Sequence, residues 1–183
     1  MRKKIVILNG SPRVNGNTAA LIAAFTKGAE SKGHEVACFY LQKMNIHACL
    51  GCRRGGKDVN SPCVQKDDME KIYPAYIEAD VVVLASPLYY WNISGQLKCA
   101  IDRLFAVVEC GGEYVYLKKD AVLLMAAGGK ADAYQETLYY YERLMNHLGW
   151  KDRGKALADS VTDINDIAGL PILKEAEELG RIL

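Results

Sequence analysis

The chain has 183 residues, with 23 Lys and Arg against 22 Asp and Glu and a formal net charge of +1. That balance gives no electrostatic case for nucleic acid or an anionic membrane surface, and no apolar run approaches the ~20 residues of a membrane span. A half-hydrophobic, quarter-charged composition suits a single domain, 1–183, with a full core.

The start, Met1-Arg2-Lys3-Lys4, is basic, but only Ile5-Val6-Ile7-Leu8 follows before Asn9. Four apolar residues are too few for a signal-peptide core, so a cytoplasmic protein is expected. The same run reads as the first strand. It leads into Asn9-Gly10-Ser11-Pro12-Arg13-Val14-Asn15-Gly16-Asn17-Thr18, and a helix-like run from Ala19 to Phe25 leads out. Small residues at Gly10 and Gly16 let backbone approach a ligand. Ser11, Asn15, Asn17 and Thr18 offer neutral donors and Arg13 a charged fork. The N–H groups of the following helix favour an anion in the same space. The stretch therefore reads as a phosphate cradle. It lacks the Gly-Lys-Ser/Thr ending of a nucleoside-triphosphate loop and the Gly-x-Gly-x-x-Gly of a dinucleotide site, which leaves a terminal phosphate monoester. The alternative is that Asn17 or Thr18 merely caps the helix.

The first helix is expected over Thr18–Lys32, closed by Gly33, and the second strand over Glu35–Tyr40. Residues 41–66 form a long polar segment with three cysteines, a length that suggests function. Asp67-Asp68-Met69-Glu70 opens a second helix, with Pro74 disturbing its register. Asp80–Ala85 is a continuous β-branched run, as in a strand buried on both faces. A loop, Ser86-Pro87-Leu88-Tyr89-Tyr90-Trp91-Asn92-Ile93, follows, and Ser94 caps a helix through Phe105. Residues 107–119 are Gly-rich and irregular. Ala121–Ala127 is the fourth strand, ending in Gly128-Gly129; Asp132–Leu148 is a helix closed by Gly149. Lys155–Val161 is the fifth strand and Leu170–Ile182 the last helix.

Strands alternating with helices imply an α/β fold, a parallel sheet covered on both faces in three layers. The flavodoxin-like doubly wound order 2-1-3-4-5 places a ligand crevice at the carboxyl ends of strands one and three. The phosphate turn and the aromatic loop follow those two strands and so meet there. Three consecutive aromatics, Tyr89-Tyr90-Trp91, cannot all face one core, and exposed rings at a crevice suit stacking on a flat conjugated group. Backbone N–H groups of this loop are available to polar ring edges, and Gly128-Gly129 leaves room for a second wall. A flat ring with a terminal phosphate describes FMN. The alternative is a subunit interface, where aromatics are also enriched.

These motifs, Gly10-Ser11-Pro12-Arg13 with Gly16-Asn17-Thr18, Ser86 through Lys98, and Asp102-Arg103, resemble the NADPH-dependent FMN reductase family, especially its iron–sulfur flavoprotein branch. The resemblance covers nearly the whole chain. It implies bound FMN and a homodimeric or homotetrameric oxidoreductase passing a hydride from NAD(P)H to a small acceptor such as a quinone, nitroaromatic or flavin. A non-enzymatic flavodoxin-like or iron–sulfur-flavoprotein-like electron carrier is the alternative. It also implies that Ser11, Arg13, Asn17 and Thr18 hold the phosphate, while Pro87 to Asn92 and Gly128-Gly129 line the ring. No nucleophile–base pair stands out, as fits chemistry carried by a cofactor.

The iron–sulfur branch carries four closely spaced cysteines. Here Cys49, Cys52 and Cys63 are present, but Gly55 stands where a third cysteine is expected. Three thiolates are one short of cluster ligation, so no metal is expected. His47 with Cys49, Cys52 and Cys63 would make a zinc set, and the Cys-x-x-Cys pair could cycle as a disulfide; free thiols are the simpler reading. Cys38 and Cys99 read as small buried residues, His34 and His147 as surface residues, and Asp102 with Arg103 as a solvated or subunit-contact pair.

Overall fold

In the computed structural model, which describes residues 1–110, 114 and 116–183, the two apolar runs lie side by side at the centre of the sheet. They are β1 (Lys4–Asn9) and β3 (Val81–Pro87), paired in parallel from Ile5↔Val81 to Asn9↔Ala85. With β2 (Glu35–Tyr40), β4 (Asp120–Ala126) and β5 (Lys151–Ala158) they form a parallel five-stranded sheet, ordered β2-β1-β3-β4-β5. Ile7, Leu8, Val81 to Val83 and Ala121 to Met125 are at most 1% exposed, the burial on both faces that such runs require.

One face of the sheet carries α1 (Asn17–Ser31) and α6 (Ile172–Arg181) over a core built on Ile5, Ile7, Leu21 and Phe25. The other carries α2 (Met69–Glu78), α3 (Gly95–Arg103), α4 (Phe105–Glu109) and α5 (Gln135–Leu148) over Val6, Leu8, Tyr73 and Leu97. The first two helices cross at Gly28 and Gly180. A Cβ on Gly28 would collide with the Glu177 carbonyl, and one on Gly180 with that of Phe25. No described helix is long and apolar enough to cross a membrane.

Several boundaries differ from the sequence reading. β5 begins four residues earlier than expected, because Gly149 closes α5 at φ 65 and Lys151 N–H immediately bonds to Lys119 O at 2.9 Å. Its first residues are polar and exposed on the sheet edge, and the register shifts between Ala121 and Leu123, so no alternation marks them. The helix from Ser94 breaks at Leu104 and resumes as α4, which claims residues 107–109 from the Gly-rich stretch; residues 111–113 and 115 of that stretch lie outside the described residues. Cys38 is exposed rather than buried, because β2 is an edge strand. His34 is buried instead of superficial, its Nδ1 accepting the Lys3 N–H at 3.0 Å, and burial lowers its pKa.

Candidate functional site

The carboxyl ends of β1, β3 and β4 open into a cavity of about 180 Å³ lined by Ser11, Arg13, Gly16, Asn17, Thr18, Pro87, Leu88, Tyr89 and Gly128. The phosphate turn forms one wall. Asn9 Oδ1 accepts the Ser11 N–H at 2.9 Å, and the Ser11 hydroxyl accepts the Arg13 N–H at 3.2 Å, so the turn is folded on its own side chains. Gly16 is the N-cap of α1 and no side chain caps that helix, which removes the capping role considered for Asn17 and Thr18. The first-turn N–H groups of a 15-residue helix therefore meet the buried hydroxyls of Ser11 and Thr18, 3% and 2% exposed. That is an anion-binding arrangement.

Not every residue of the turn points there. Asn15 is exposed and outside the cavity wall. The Asn17 amide is committed to the far loop: its Nδ2 donates to Asp163 O at 3.0 Å and its Oδ1 accepts from Ile167 N–H at 3.4 Å. The Arg13 guanidinium donates to Thr162 O at 2.9 Å across the cavity mouth. Gly10 has a different role from the ligand approach expected of it. A Cβ there would collide with Ser94 Oγ and come within 2.7 Å of Leu97 Cβ, so Gly10 admits the start of α3.

Ser94 joins the two loops. Its Oγ donates to Gly10 O at 2.8 Å and accepts from Leu97 N–H at 3.3 Å, while its own N–H reaches Ser86 Oγ at 2.8 Å. The aromatic loop then turns back sharply. Tyr89 and Asn92 exchange N–H···O bonds of 2.9 and 3.0 Å around Tyr90 and Trp91, whose φ angles are 47° and 58°. Two successive left-handed residues make a type I′ turn, a position that favours Asn-Gly. Bulky residues here cost of order 1–3 kcal/mol each, and such strain clusters at functional sites. The turn holds Tyr89, Tyr90 and Trp91 at 45%, 94% and 58% exposure beside the cavity. Thr137 Oγ1 fixes its tip by donating to Trp91 O at 2.6 Å.

Of this loop, Pro87, Leu88 and Tyr89 line the cavity; Tyr90, Trp91 and Asn92 stand outside it, as does Gly129. The N–H groups of Leu88, Tyr89, Asn92 and Ile93 are donated within the chain, so ring edges would find only those of Tyr90 and Trp91. Sequence reasoning missed part of the lining, Ala126, Ala127, Val161 and Thr162. Its signal was available: the end of the fifth strand shares the carboxyl edge of the sheet.

A second cluster lies in the cysteine segment. Cys49, Cys52 and Cys63 line a cavity of about 310 Å³ with Arg103 and Glu109. Arg103 is not a solvated residue, as the sequence suggested, but 1% exposed. Its Nη1 and Nη2 reach the two oxygens of the fully buried Asp67 carboxylate at 2.6 and 3.0 Å, and also hold His47 O and Gln65 O. Burial alone would raise the Asp67 pKa; the Arg103 bonds and the N–H groups of His47 and Met69 override it and lower it. Asp102 stays on the surface, paired with Lys98 at 2.6 Å. The His47 ring leans on Asp67 at 3.4 Å. Among the described residues no three of His, Cys, Asp and Glu are grouped to hold a metal ion, so His47 and the three cysteines are not gathered as a zinc set. A larger apolar cavity of about 460 Å³ between α3, α4 and α5 lacks the hydroxyl donors and open helix N-terminus of the strand-end site.

The family described as NADPH-dependent FMN reductase matches residues 3–162. An iron-sulfur flavoprotein of Archaeoglobus fulgidus is 33% identical over 180 residues, 97% of this chain and 77% of that protein. An iron-sulfur flavoprotein of Methanocaldococcus jannaschii is 35% identical over 133 residues, 73% of this chain and 65% of its own length. Among solved structures, an NAD(P)H:quinone oxidoreductase from Methanothermobacter marburgensis superposes with a TM-score of 0.74 at 21% identity, covering 99% of this chain and 96% of that one.

Proposed function

The chain belongs to the NADPH-dependent FMN reductase family, and from that premise we propose that it carries a hydride from NAD(P)H, by way of bound FMN, to a small acceptor such as a quinone, nitroaromatic compound or free flavin. Membership makes it an FMN-dependent oxidoreductase with the flavodoxin-like fold; the acceptor is the proposal. The observation that carries the reading is the meeting of an uncapped helix N-terminus and an aromatic turn around one cavity.

The residues fit the cofactor. The open first turn of α1 with Ser11 and Thr18 would hold the phosphate, with Arg13 at the mouth. The Asn17 amide is committed to Asp163 and Ile167 and Asn15 is exposed outside the cavity, so these two would bear on that group through the shape of the loop, and Arg13 through its charge. Pro87, Leu88, Tyr89 and Gly128 would flank the ring, with Tyr90, Trp91, Asn92 and Gly129 at its outer rim. A Cβ at Gly128 would lie 2.7 Å from Thr162 Oγ1, so in that wall the bare Gly128 backbone packs against the Thr162 side chain. FMN, when bound, supplies the redox chemistry; the protein supplies binding, orientation and electrostatics. Ser94 keeps both walls at a fixed separation. Tyr90 and Trp91, held outward by their turn, leave the approach to the ring lined by aromatic surface suited to flat acceptors. In a homodimer or homotetramer the same rings would be shared with a neighbouring subunit.

Steady-state oxidation of NADPH with a quinone tests the reading: multiple turnovers per flavin are expected, whereas a pure electron carrier would show negligible turnover.

A further inference from the structure

Relatives of this chain are named iron-sulfur flavoproteins, and the cysteine segment is where such a cluster would sit. The residues present do not fit one. Clusters are held by four ligands, as a rule thiolates, and this segment offers Cys49, Cys52 and Cys63. Cys110, at the end of α4, turns its Sγ back to Ala106 O at 3.6 Å.

The space for a fourth thiol is closed. A Cβ built on Gly55 would collide with Glu109 Oε2 and lie 2.9 Å from Pro62 O and 3.4 Å from Ala106 Cβ. Gly55 N–H donates to that Glu109 carboxylate at 3.2 Å, and Gly56 N–H donates to Pro62 O at 2.8 Å. Gly56, at φ 77, packs directly on α4: its Cβ would lie 2.5 Å from Glu109 O and 2.9 Å from Cys110 N. Bare backbone is thus docked against a helix at the position where a ligand would have to enter. The ends of the segment are equally fixed, because Arg103 binds Asp67, Gln65 and His47 at once.

We infer that Glu109 occupies the place of the missing thiolate, and that the segment is a metal-free loop locked by Arg103–Asp67 and by glycine-to-helix docking. Resting on the reductase reading, this means that electrons pass between flavin and acceptor without an iron–sulfur relay in the chain. Cys49, Cys52 and Cys63 then remain thiols around their cavity.

Chemical reconstitution tests this. FMN-loaded protein is prepared without oxygen, incubated with ferrous iron, sulfide and dithiothreitol, desalted, and assayed for iron, labile sulfide and flavin. Substoichiometric iron and a flavin-only visible spectrum are expected. Stoichiometric iron and sulfide with broad visible absorption, lost in Cys52→Ser, would overturn the inference. Gly55→Cys should remain cluster-free and melt lower than wild type, because its Cβ meets the Pro62 carbonyl; a cluster in that variant would show that position 55 is open and that Glu109 does not close it. Flavin content separates the two readings: iron with flavin sinks this inference alone, and absence of flavin binding without iron sinks the reductase reading alone.

Discussion

Replacing Arg103 by Ala should be among the most destabilising single changes in this chain. Both partners of the pair are buried, Arg103 at 1% and Asp67 at 0% side-chain exposure, and they meet through two bonds of 2.6 and 3.0 Å. Removing one partner strands an uncompensated charge, which costs about 3–5 kcal/mol. For a chain of this size each kcal/mol moves the Tm by about 2–4 °C, so a fall of about 6–20 °C is expected by calorimetry at pH 7. Asp67→Asn removes the charge from the other side and gives a pH test. The folded-state pKa of Asp67 is held below its unfolded value, near 3.9, by Arg103 and two backbone N–H groups against the opposing effect of burial. Its contribution is therefore complete above that unfolded value and is lost as pH falls through the folded one. The stability gap between wild type and Asp67→Asn should be full at pH 7 and shrink on acidification below pH 4. A gap that is independent of pH, or an Arg103→Ala protein within about 1 kcal/mol of wild type, would refute the argument that the pair is a buried ionic latch.

Other changes probe the strand-end site and the packing behind it. Ser11→Ala with Thr18→Ala removes two hydroxyls from the cradle, each worth ~1.5–3 kcal/mol toward a charged group, and should weaken FMN binding at least tenfold in a titration; unchanged affinity would remove the cradle from the argument. Alanine at Tyr89, Tyr90 or Trp91 should separate their roles: the ring against the flavin should raise bound-flavin fluorescence and lower FMN affinity, while a ring in a subunit contact should shift sedimentation toward monomer. Wild-type values for all three in every assay would exclude this turn as the flavin wall. Gly28→Ala drives a methyl into the Glu177 carbonyl and should lower stability by about 1–3 kcal/mol in urea unfolding, the range for overpacking; a neutral result would mean that the two helices are free to part.

The sheet was legible because Ile5–Leu8 and Val81–Ala85 are continuous apolar runs, and burial on both faces leaves no other use for them. The cradle was legible because small and hydroxyl residues crowd between a strand and a helix. The features that escaped notice depend on long-range partners. Arg103 and Asp67 are 36 residues apart, and nothing local marks either as buried. Val161 and Thr162 reach the cavity only because β5 ends beside β4. The left-handed turn at Tyr90-Trp91 runs against local preference, so propensity argues for any other conformation there. Gly55 was visible as a departure from the cysteine spacing, but its contact with Glu109 belongs to α4.

The close crossing at Gly28 and Gly180 reaches beyond packing. With backbone keyed into backbone, α1 cannot roll or slide on α6 without breaking the fit. The end of α1 that faces the cavity is thereby set in position from its opposite end, by residues that never meet the ligand. Little ordering remains for binding to accomplish, and it is such ordering that ordinarily drains affinity. A helix end seated this way is shaped by packing on the far side of its own helix, not by the molecule it would meet.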